Sequence, residues 1–556
     1  MQVEITIKNY RCFSDSKPAH ITLRKGFTAF VGVNNSGKSS LLKFFYEFRS
    51  LFQLLSSPTE SFIKALRGNY SSFKLADTIR DIEEVFCNSN NRDLEIQVRL
   101  MASNEVTEEK APPVPKQIVI TIPRARNAFI ARIDLAEGSL PSDELNWQSL
   151  IWPPQRGVTL PSPSQNTLIA PVANLSPFFE VFTRLRNILY IGPFRNVLNV
   201  QSLDRDNEDY QFSQNQKYFD IDFGIPFIES WRTFKTGSNK KNHELIYKLT
   251  KDIQYIFGFQ DLEINTSNSE ATLLVLINGK SYNLSDQGSG LTQFLLVLAN
   301  AAIKQPSYIL IDEPELNLHP SLQLDFLTTL GYYGREGVFF ATHSIGLARA
   351  SAELVYSVHK NAEGESEVRK LESTPRLSEF LGELSFSGYR ELGFDKILLV
   401  EGATEVKMIQ QFLRKYGKDH QIVLLPLGGS QLIKESSEAE LEEIKRICEN
   451  VSALIDSELT APEAAIEPGR AAFVEKCKKA NIDCYVLERR AIENYLSDRA
   501  VKQVKGNKYR ALKPYEALKD APYGWAKAEN WRIAQEMTRE ELEGTDLGEF
   551  LKRLCD

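Results

Sequence analysis

Histidine, methionine and tryptophan are scarce in this 556-residue chain, and the six cysteines (Cys12, Cys87, Cys448, Cys477, Cys484, Cys555) include no C-x-x-C pair. With six histidines and no paired cysteines, a structural zinc site is not expected; free thiols in a reducing compartment are. No apolar run can span a bilayer: the greasiest, 294–303, is too short and contains Asn300. The opening residues alternate as a strand does and not as a signal peptide, so a cytoplasmic protein without a membrane partner is expected. There is no excess of charge of one sign, with 66 Lys+Arg against 73 Asp+Glu and a net charge of −7. That excludes a histone-like basic coat and leaves nucleic-acid contact to local patches. Internal repeats and low-complexity tracts are also absent.

What is present is an ordinary globular composition, 42% hydrophobic and 25% charged, with enough chain for several domains. The reading along it is an N-terminal lobe over 1–196, a polar and partly helical candidate insertion over 197–260, a second lobe over 261–372, a linker over 373–393, and a strand–helix alternation with a charged helical tail over 394–556. An α/β protein is expected.

Gly32-Val33-Asn34-Asn35-Ser36-Gly37-Lys38-Ser39 follows an apolar strand and opens a helix, the context in which G-x-x-x-x-G-K-[ST] cradles phosphates. Successive backbone N–H groups and the helix N-terminus make an anion site. Lys38 adds charge at the β/γ-phosphates, and the Ser39 hydroxyl can reach Mg²⁺; Ser40 continues the phrase. Downstream, Tyr308-Ile309-Leu310-Ile311 delivers Asp312 and Glu313 at a strand end. Asp312 is expected to hold Mg²⁺ and Glu313 to orient or deprotonate water. A further strand ends in Thr342-His343-Ser344, where His343 can sense the γ-phosphate. Between them, Leu284-Ser285-Asp286-Gln287-Gly288-Ser289-Gly290 leads into an apolar helix, a second anion site. One nucleotide does not need two cradles, so Ser289 and Gly290 are expected to cap ATP held by another subunit.

In this order the motifs resemble the ATP-binding-cassette head of SMC and Rad50-type proteins, over 1 to about 370. The resemblance implies ATP and Mg²⁺ as ligands and a homodimer or higher homo-oligomer.

A second constellation starts at 396–400, an apolar strand ending in Glu401-Gly402-Ala403-Thr404-Glu405. Later, Ala453-Leu454-Ile455 ends in Asp456-Ser457-Glu458, and period-two spacing predicts Asp456 and Glu458 on one side. Ile492-Glu493-Asn494-Tyr495 follows. Carboxylates gathered at strand ends repel one another, and hard divalent cations relieve this. Such a cluster suits two-metal phosphodiester chemistry.

The Glu401–Glu405 and Asp456–Glu458 pattern resembles the Toprim fold, with a Glu where the pattern has a second Asp. Behind an ATPase of this kind it resembles the OLD (overcoming lysogenization defect) nucleases, as do the string Glu313-Pro314-Glu315-Leu316-Asn317-Leu318-His319-Pro320 and the Ile492–Tyr495 segment. That resemblance implies an ABC-type (SMC-like) ATPase head with an inserted helical dimerisation segment, followed by a Rossmann-like Toprim nuclease domain. It implies an ATP-regulated endonuclease using Mg²⁺ or Mn²⁺ held by Glu401, Glu405, Asp456, Glu458 and Glu493, acting on DNA in antiphage defence, alone or with a helicase or reverse transcriptase. It also implies an assisting lysine, for which Lys527 is the candidate and Lys505 and Lys508 are rivals. A non-cutting ATP-gated clamp and a ribonuclease (tRNA cleavage, for example) remain as alternatives. A topoisomerase would need a strand-passing tyrosine domain and a primase a zinc ribbon, and neither is present. The tract 501–520 holds Lys502, Lys505, Lys508, Arg510, Lys513 and Lys519 interleaved with Tyr509 and Tyr515. This suits phosphate contact and base stacking, as it equally suits a solvated helix.

Overall fold

The computed structural model describes residues 2–101, 114–124, 126–135, 173–193, 217–266, 273–316, 318–361, 364–370, 396–418, 421–427, 441–442, 444–445, 448 and 450–555. The expected linker at 373–393 and the first part of the expected insertion, 197–216, lie outside the described residues.

A six-stranded sheet carries the phosphate loop. Its order is Ser366–Lys370, Leu354–Lys360, Gly26–Val31, Gly337–Thr342, Tyr308–Asp312, Ile188–Ile191, parallel throughout except for the first pair. Strands covered on both faces read as unbroken apolar runs, and the side chains divide by alternation. Phe30, Tyr308 and Leu310 join the core on one face; Phe27, Ala29, Val31, Ile309 and Ile311 join the core on the other. The first face is closed by the helix Lys38–Glu47, whose Leu41, Leu42, Phe44 and Phe45 are buried between this sheet and an antiparallel one. That second sheet runs in the order Ala19–Leu23, Val3–Lys8, Leu94–Leu100, Gln117–Ile122, Ala128–Asp134, Ser71–Ser72.

The other face is covered by helices Gly224–Thr236, Lys240–Ile256, Ser289–Lys304, Pro320–Tyr333 and Ile345–Ser351. Phe227, Trp231, Leu249 and Ile253 of the first two lie in the same core as Ile309 and Ile311. The described part of the expected insertion therefore packs as a layer of the sheet that carries the phosphate loop. Its sequence looked polar because only one stripe of each helix faces inward.

The C-terminal region is built on four parallel strands in the order Ile422–Pro426, Lys396–Val400, Val451–Ile455, Asp483–Val486. Alternation again decides the faces. Leu398 and Val400 pack with Val406, Ile409 and Phe412 of the helix Ala403–Tyr416, whereas Ile397 and Leu399 pack with Phe473 and Cys477 of the helix Pro468–Lys479. A parallel sheet with helices on both faces is the doubly wound arrangement, in which ligands bind beyond the carboxyl ends of the strands. The tail is less helical than its charge pattern suggests: Asp498–Lys505, Asn530–Glu536 and Asp546–Cys555 are separated by loops and single 3₁₀ turns.

Candidate nucleotide and acidic sites

The turn after the strand Gly26–Val31 is shaped by two glycines that nothing else replaces. A Cβ on Gly32 would stand 2.3 Å from the Val358 carbonyl oxygen, and Gly37 has φ +107° with Cys12 Sγ 2.8 Å from where its Cβ would lie. Asn35 also takes a left-handed conformation, φ 61°. Lys38 Nζ donates to the carbonyls of Gly32 (2.7 Å) and Val33 (2.9 Å), which curls it over the loop. Burial pulls the Lys38 ammonium below its ordinary pKa, against the opposing pull of Asp312, Glu313 and Glu315. Asn35, Ser36, Gly37, Ser39 and Ser40 line a cavity of about 530 Å³, with Glu313 and His343 on its rim.

Asp312 ends its strand buried, 1% exposed. Glu313 turns out of the strand at φ 50°, and its Oε1 lies 3.2 Å from His343 Nε2. Glu315 Oε1 accepts from Thr342 Oγ1 (2.6 Å) and from the His343 backbone N–H (3.0 Å), so it holds the His343 turn in place. The only sign of this role in the sequence is an acid two residues after Glu313. Ser289 and Gly290 open the helix Ser289–Lys304 with Gly288 before it, and no side chain caps that end. The side chain of Ser289 lies outside the described residues.

The acidic cluster sits at the carboxyl ends of the four-stranded sheet. Glu401 follows Val400, and its Oε1 accepts the Asp456 backbone N–H at 2.9 Å, which ties two adjacent strand ends together. Asp456 Oδ1 accepts the Ile492 N–H at 3.0 Å. The 3₁₀ turn Ile492–Tyr495 is fixed by its own neighbours: Asn494 Oδ1 accepts from Ala491 N, Asn494 Nδ2 donates to the carbonyls of Lys513 and Glu516, and Tyr495 OH donates to Asp546. Asn494 and Tyr495 thus position Glu493, which is buried beside Lys527, with Nζ 2.9 Å from Glu493 Oε1. Glu405 lies in the first turn of the helix Ala403–Tyr416 and accepts from Thr404 Oγ1.

These groups feel one another. Burial first, then the charges of Glu401, Glu405 and Glu493, raise the Asp456 carboxyl well above its ordinary pKa, and Lys527 opposes them. Burial raises Glu405, with Lys527 lowering it and Glu493 adding to the rise. Burial would depress Lys527, but Glu493, Asp456 and Glu405 outweigh it and hold the ammonium protonated. Of the expected lysines, Lys527 is the one that reaches the acids. Lys505 pairs with Glu529, and Lys508 is exposed.

Glu458 departs from expectation. The strand ends at Ile455, Glu458 has φ 55°, and its carboxylate pairs with Arg490. Period two holds only while the strand lasts. Arg470, which no motif flagged, donates to both oxygens of Glu401 and, at 2.6 Å, to the Asp456 carbonyl. Among the described residues, no three His, Cys, Asp or Glu side chains are arranged as they stand to hold a metal ion. The donor chemistry nevertheless fits a hard divalent cation. Glu401, Glu405, Asp456 and Glu493 offer oxygens only, they outnumber the cations Lys527 and Arg470, and Glu493 Oε2 is buried without a hydrogen-bond partner.

The basic tract at 501–520 is neutralised only in part. Lys502 pairs with Asp498, Lys505 with Glu529 and Arg510 with Glu516. Lys508, Lys513 and Lys519 stand exposed. A separate cavity of about 600 Å³, lined in part by Lys396, Asn450, Asp483 and Arg553, opens at the amino ends of three of the four strands, away from the acids. Among the described residues, no helix is long and apolar enough to cross a membrane.

Comparison with known proteins bears on the first site. Residues 1–141 match a family model described as "AAA ATPase domain", and residues 259–349 match one described as "AAA domain, putative AbiEii toxin, Type IV TA system". The chain is similar to the SmcHead bound to the C-winged helix domain of ScpA (14% identity, 66% of this chain and 97% of that one, TM-score 0.36). It is also similar to the SMC head domain from Thermotoga maritima (12%, 67% and 100%, TM-score 0.32). A third likeness is to the Smc head domain with an extended coiled coil bound to the C-terminal domain of ScpA derived from Pyrococcus furiosus (14%, 69% and 100%, TM-score 0.33). The two matched segments contain the phosphate loop and the Asp312–His343 set, so this part of the chain is an ATPase domain of the AAA type.

Proposed function

We propose that the chain is an ATP-regulated, divalent-metal-dependent phosphodiester hydrolase of the OLD type, cutting DNA in defence against phage. The observation that carries the reading is the convergence of Glu401, Glu405, Asp456 and Glu493 with Lys527 at the carboxyl ends of one parallel sheet. Mg²⁺ or Mn²⁺ bound there would supply Lewis-acid polarisation of a phosphoryl oxygen and an activated water. Glu405, Asp456 and Glu493 would hold it, with Glu401 joining once released from Arg470. Lys527, kept protonated by its acidic neighbours, stands where it can neutralise charge building on the phosphoryl oxygens. In the ATPase domain Glu313 orients water, and its contact with His343 links that water to the γ-phosphate position. Ser289 and Gly290 of a second copy complete the nucleotide site.

The test is plasmid cleavage with Mg²⁺ or Mn²⁺. Cutting is expected to disappear in Glu401→Ala/Asp456→Ala, and cutting that survives there rejects the site.

A second reading, an ATP-gated clamp that binds nucleic acid without cutting, is favoured by Arg470, which occupies Glu401 as a cation would. It predicts nucleotide-dependent DNA retention with no Mn²⁺ bound at the cluster in a calorimetric titration.

A further inference from the structure

We propose that a buried junction of Gly26, Glu353 and Lys407 transmits the nucleotide state of the phosphate loop to Glu405 and Lys527. The proposal rests on the reading of the acidic cluster as the working site.

Two elements leave the nucleotide site and meet here. The strand Gly26–Val31 runs straight into the phosphate loop. The helix Ile345–Ser351 begins just after His343, the residue in contact with Glu313, and Glu353 lies just past its end. Glu353 Oε2 accepts the Phe27 backbone N–H at 2.6 Å, which ties the second element to the start of the first. Its other oxygen, Oε1, accepts from Lys407, a fully buried ammonium that also sits 4.1 Å from the centre of the Phe27 ring. Lys407 is two residues from Glu405 on the helix Ala403–Tyr416. The same helix is held to the ATPase by Gln410 and Arg414, each 2.6 Å from Asp325 Oδ1.

The second arm starts at the same glycine. A Cβ on Gly26 (φ +104°) would lie 2.6 Å from Glu353 Oε2 and 2.9 Å from the Ala528 Cβ, so both arms pack against the backbone there. Ala528 follows Lys527 directly. Glu529 pairs with Lys25, and Trp531 is buried in the ATPase core, edge-on to Phe27. Arg532 donates to the carbonyls of Gly331 and Gly334. A short segment thus has Lys527 on the acids and its next residues locked into the ATPase. Close-packed interiors shift between discrete arrangements rather than deform smoothly. A rearrangement of the strand or helix at the nucleotide therefore reaches both Glu405 and Lys527 through contacts with no slack.

The experiment is hydrogen–deuterium exchange on the full chain, with Mg²⁺ and either no nucleotide or a non-hydrolysable ATP analogue, following 403–416 and 525–536. In the wild type, the analogue is expected to change exchange in both segments. In Glu353→Gln/Lys407→Met, which removes both charges and so strands neither, the change in 403–416 is expected to fall about fivefold or more, with ATP hydrolysis retained. Lys407→Arg, which keeps the charge, should recover part of the response. If the double variant does not fold, Ala528→Val crowds Gly26 instead and should blunt the response of 525–536 selectively. Equal responses in variant and wild type, or no response of either segment in the wild type, overturn the proposal. A wild type that responds but does not cut counts against the hydrolase reading alone.

Discussion

Lys527 Nζ lies 2.9 Å from Glu493 Oε1, a half-exposed cation on a carboxylate that is almost wholly buried. The asymmetry sets what each substitution does. Lys527→Met leaves Glu493 buried without its cation, a loss of about 1–3 kcal/mol of stability, visible as a lower melting temperature. Metal-dependent cleavage should fall by about 10²-fold or more, as when a charge-stabilising donor is removed. Lys527→Arg should recover the melting temperature more fully than the rate, because stability needs the charge and catalysis needs its position. Full cleavage by Lys527→Met would remove this residue from the mechanism.

Arg470 plays the opposite part, and it separates the two functional readings. Its guanidinium holds Glu401 from both sides in a buried pair. Arg470→Met strands Glu401 and should cost about 3–5 kcal/mol. If the cluster takes a divalent ion, Mn²⁺ will raise the melting temperature of this variant more than that of the wild type, since the ion replaces the missing charge. Equal Mn²⁺ effects on both would favour the clamp.

The difference between what could and could not be read in advance has a physical basis. The phosphate loop and the strands ending at Asp312, Val400 and Ile455 were legible because their signals are local: a contiguous glycine turn, and apolar runs that parallel sheets demand. The orientation of Glu458 was not legible because period two does not extend past the strand end, where a positive φ turns the side chain to Arg490. Arg470 and Glu353 were missed because their partners are 69 and 54 residues away, with no motif to join them. The charge counted along 501–520 overstates what is free in space. Asp498 and Glu529, which neutralise Lys502 and Lys505, lie outside the counted window.

At the nucleotide site, two substitutions should divide binding from hydrolysis. Gly37→Ala forces a side chain into φ +107° and against Cys12 Sγ. Backbone strain of about 1–3 kcal/mol should weaken ATP binding by roughly tenfold or more in a fluorescent-nucleotide titration. Glu313→Gln keeps the cradle intact and should bind ATP normally, while phosphate release drops about 10²-fold or more. Normal turnover by Glu313→Gln would move the water-orienting role elsewhere, with Glu315 the next acid in reach of the His343 turn.

Asp252, on the helix Lys240–Ile256, offers a prediction independent of ATP and metal. One of its oxygens, Oδ2, is sealed from solvent without a hydrogen-bond partner, and burial pushes its pKa up to about 6 despite the pull of Lys248 and Arg414. The sign follows from proton counting. Below about pH 4, native and unfolded chains both hold the proton; between there and about 6 only the native chain does, so stability falls as pH rises. Above that range the loss is complete. Asp252→Asn mimics the protonated carboxyl at every pH. It strands no cation, since Lys248 keeps Glu536 at 2.9 Å and Arg414 keeps Asp325 at 2.6 Å. The variant should therefore match the wild type near pH 4 and exceed it by about 3 kcal/mol at pH 8, at about 1.4 kcal/mol per pKa unit. Urea unfolding at the two pH values measures this, and a difference that does not change with pH would mean that Asp252 titrates normally.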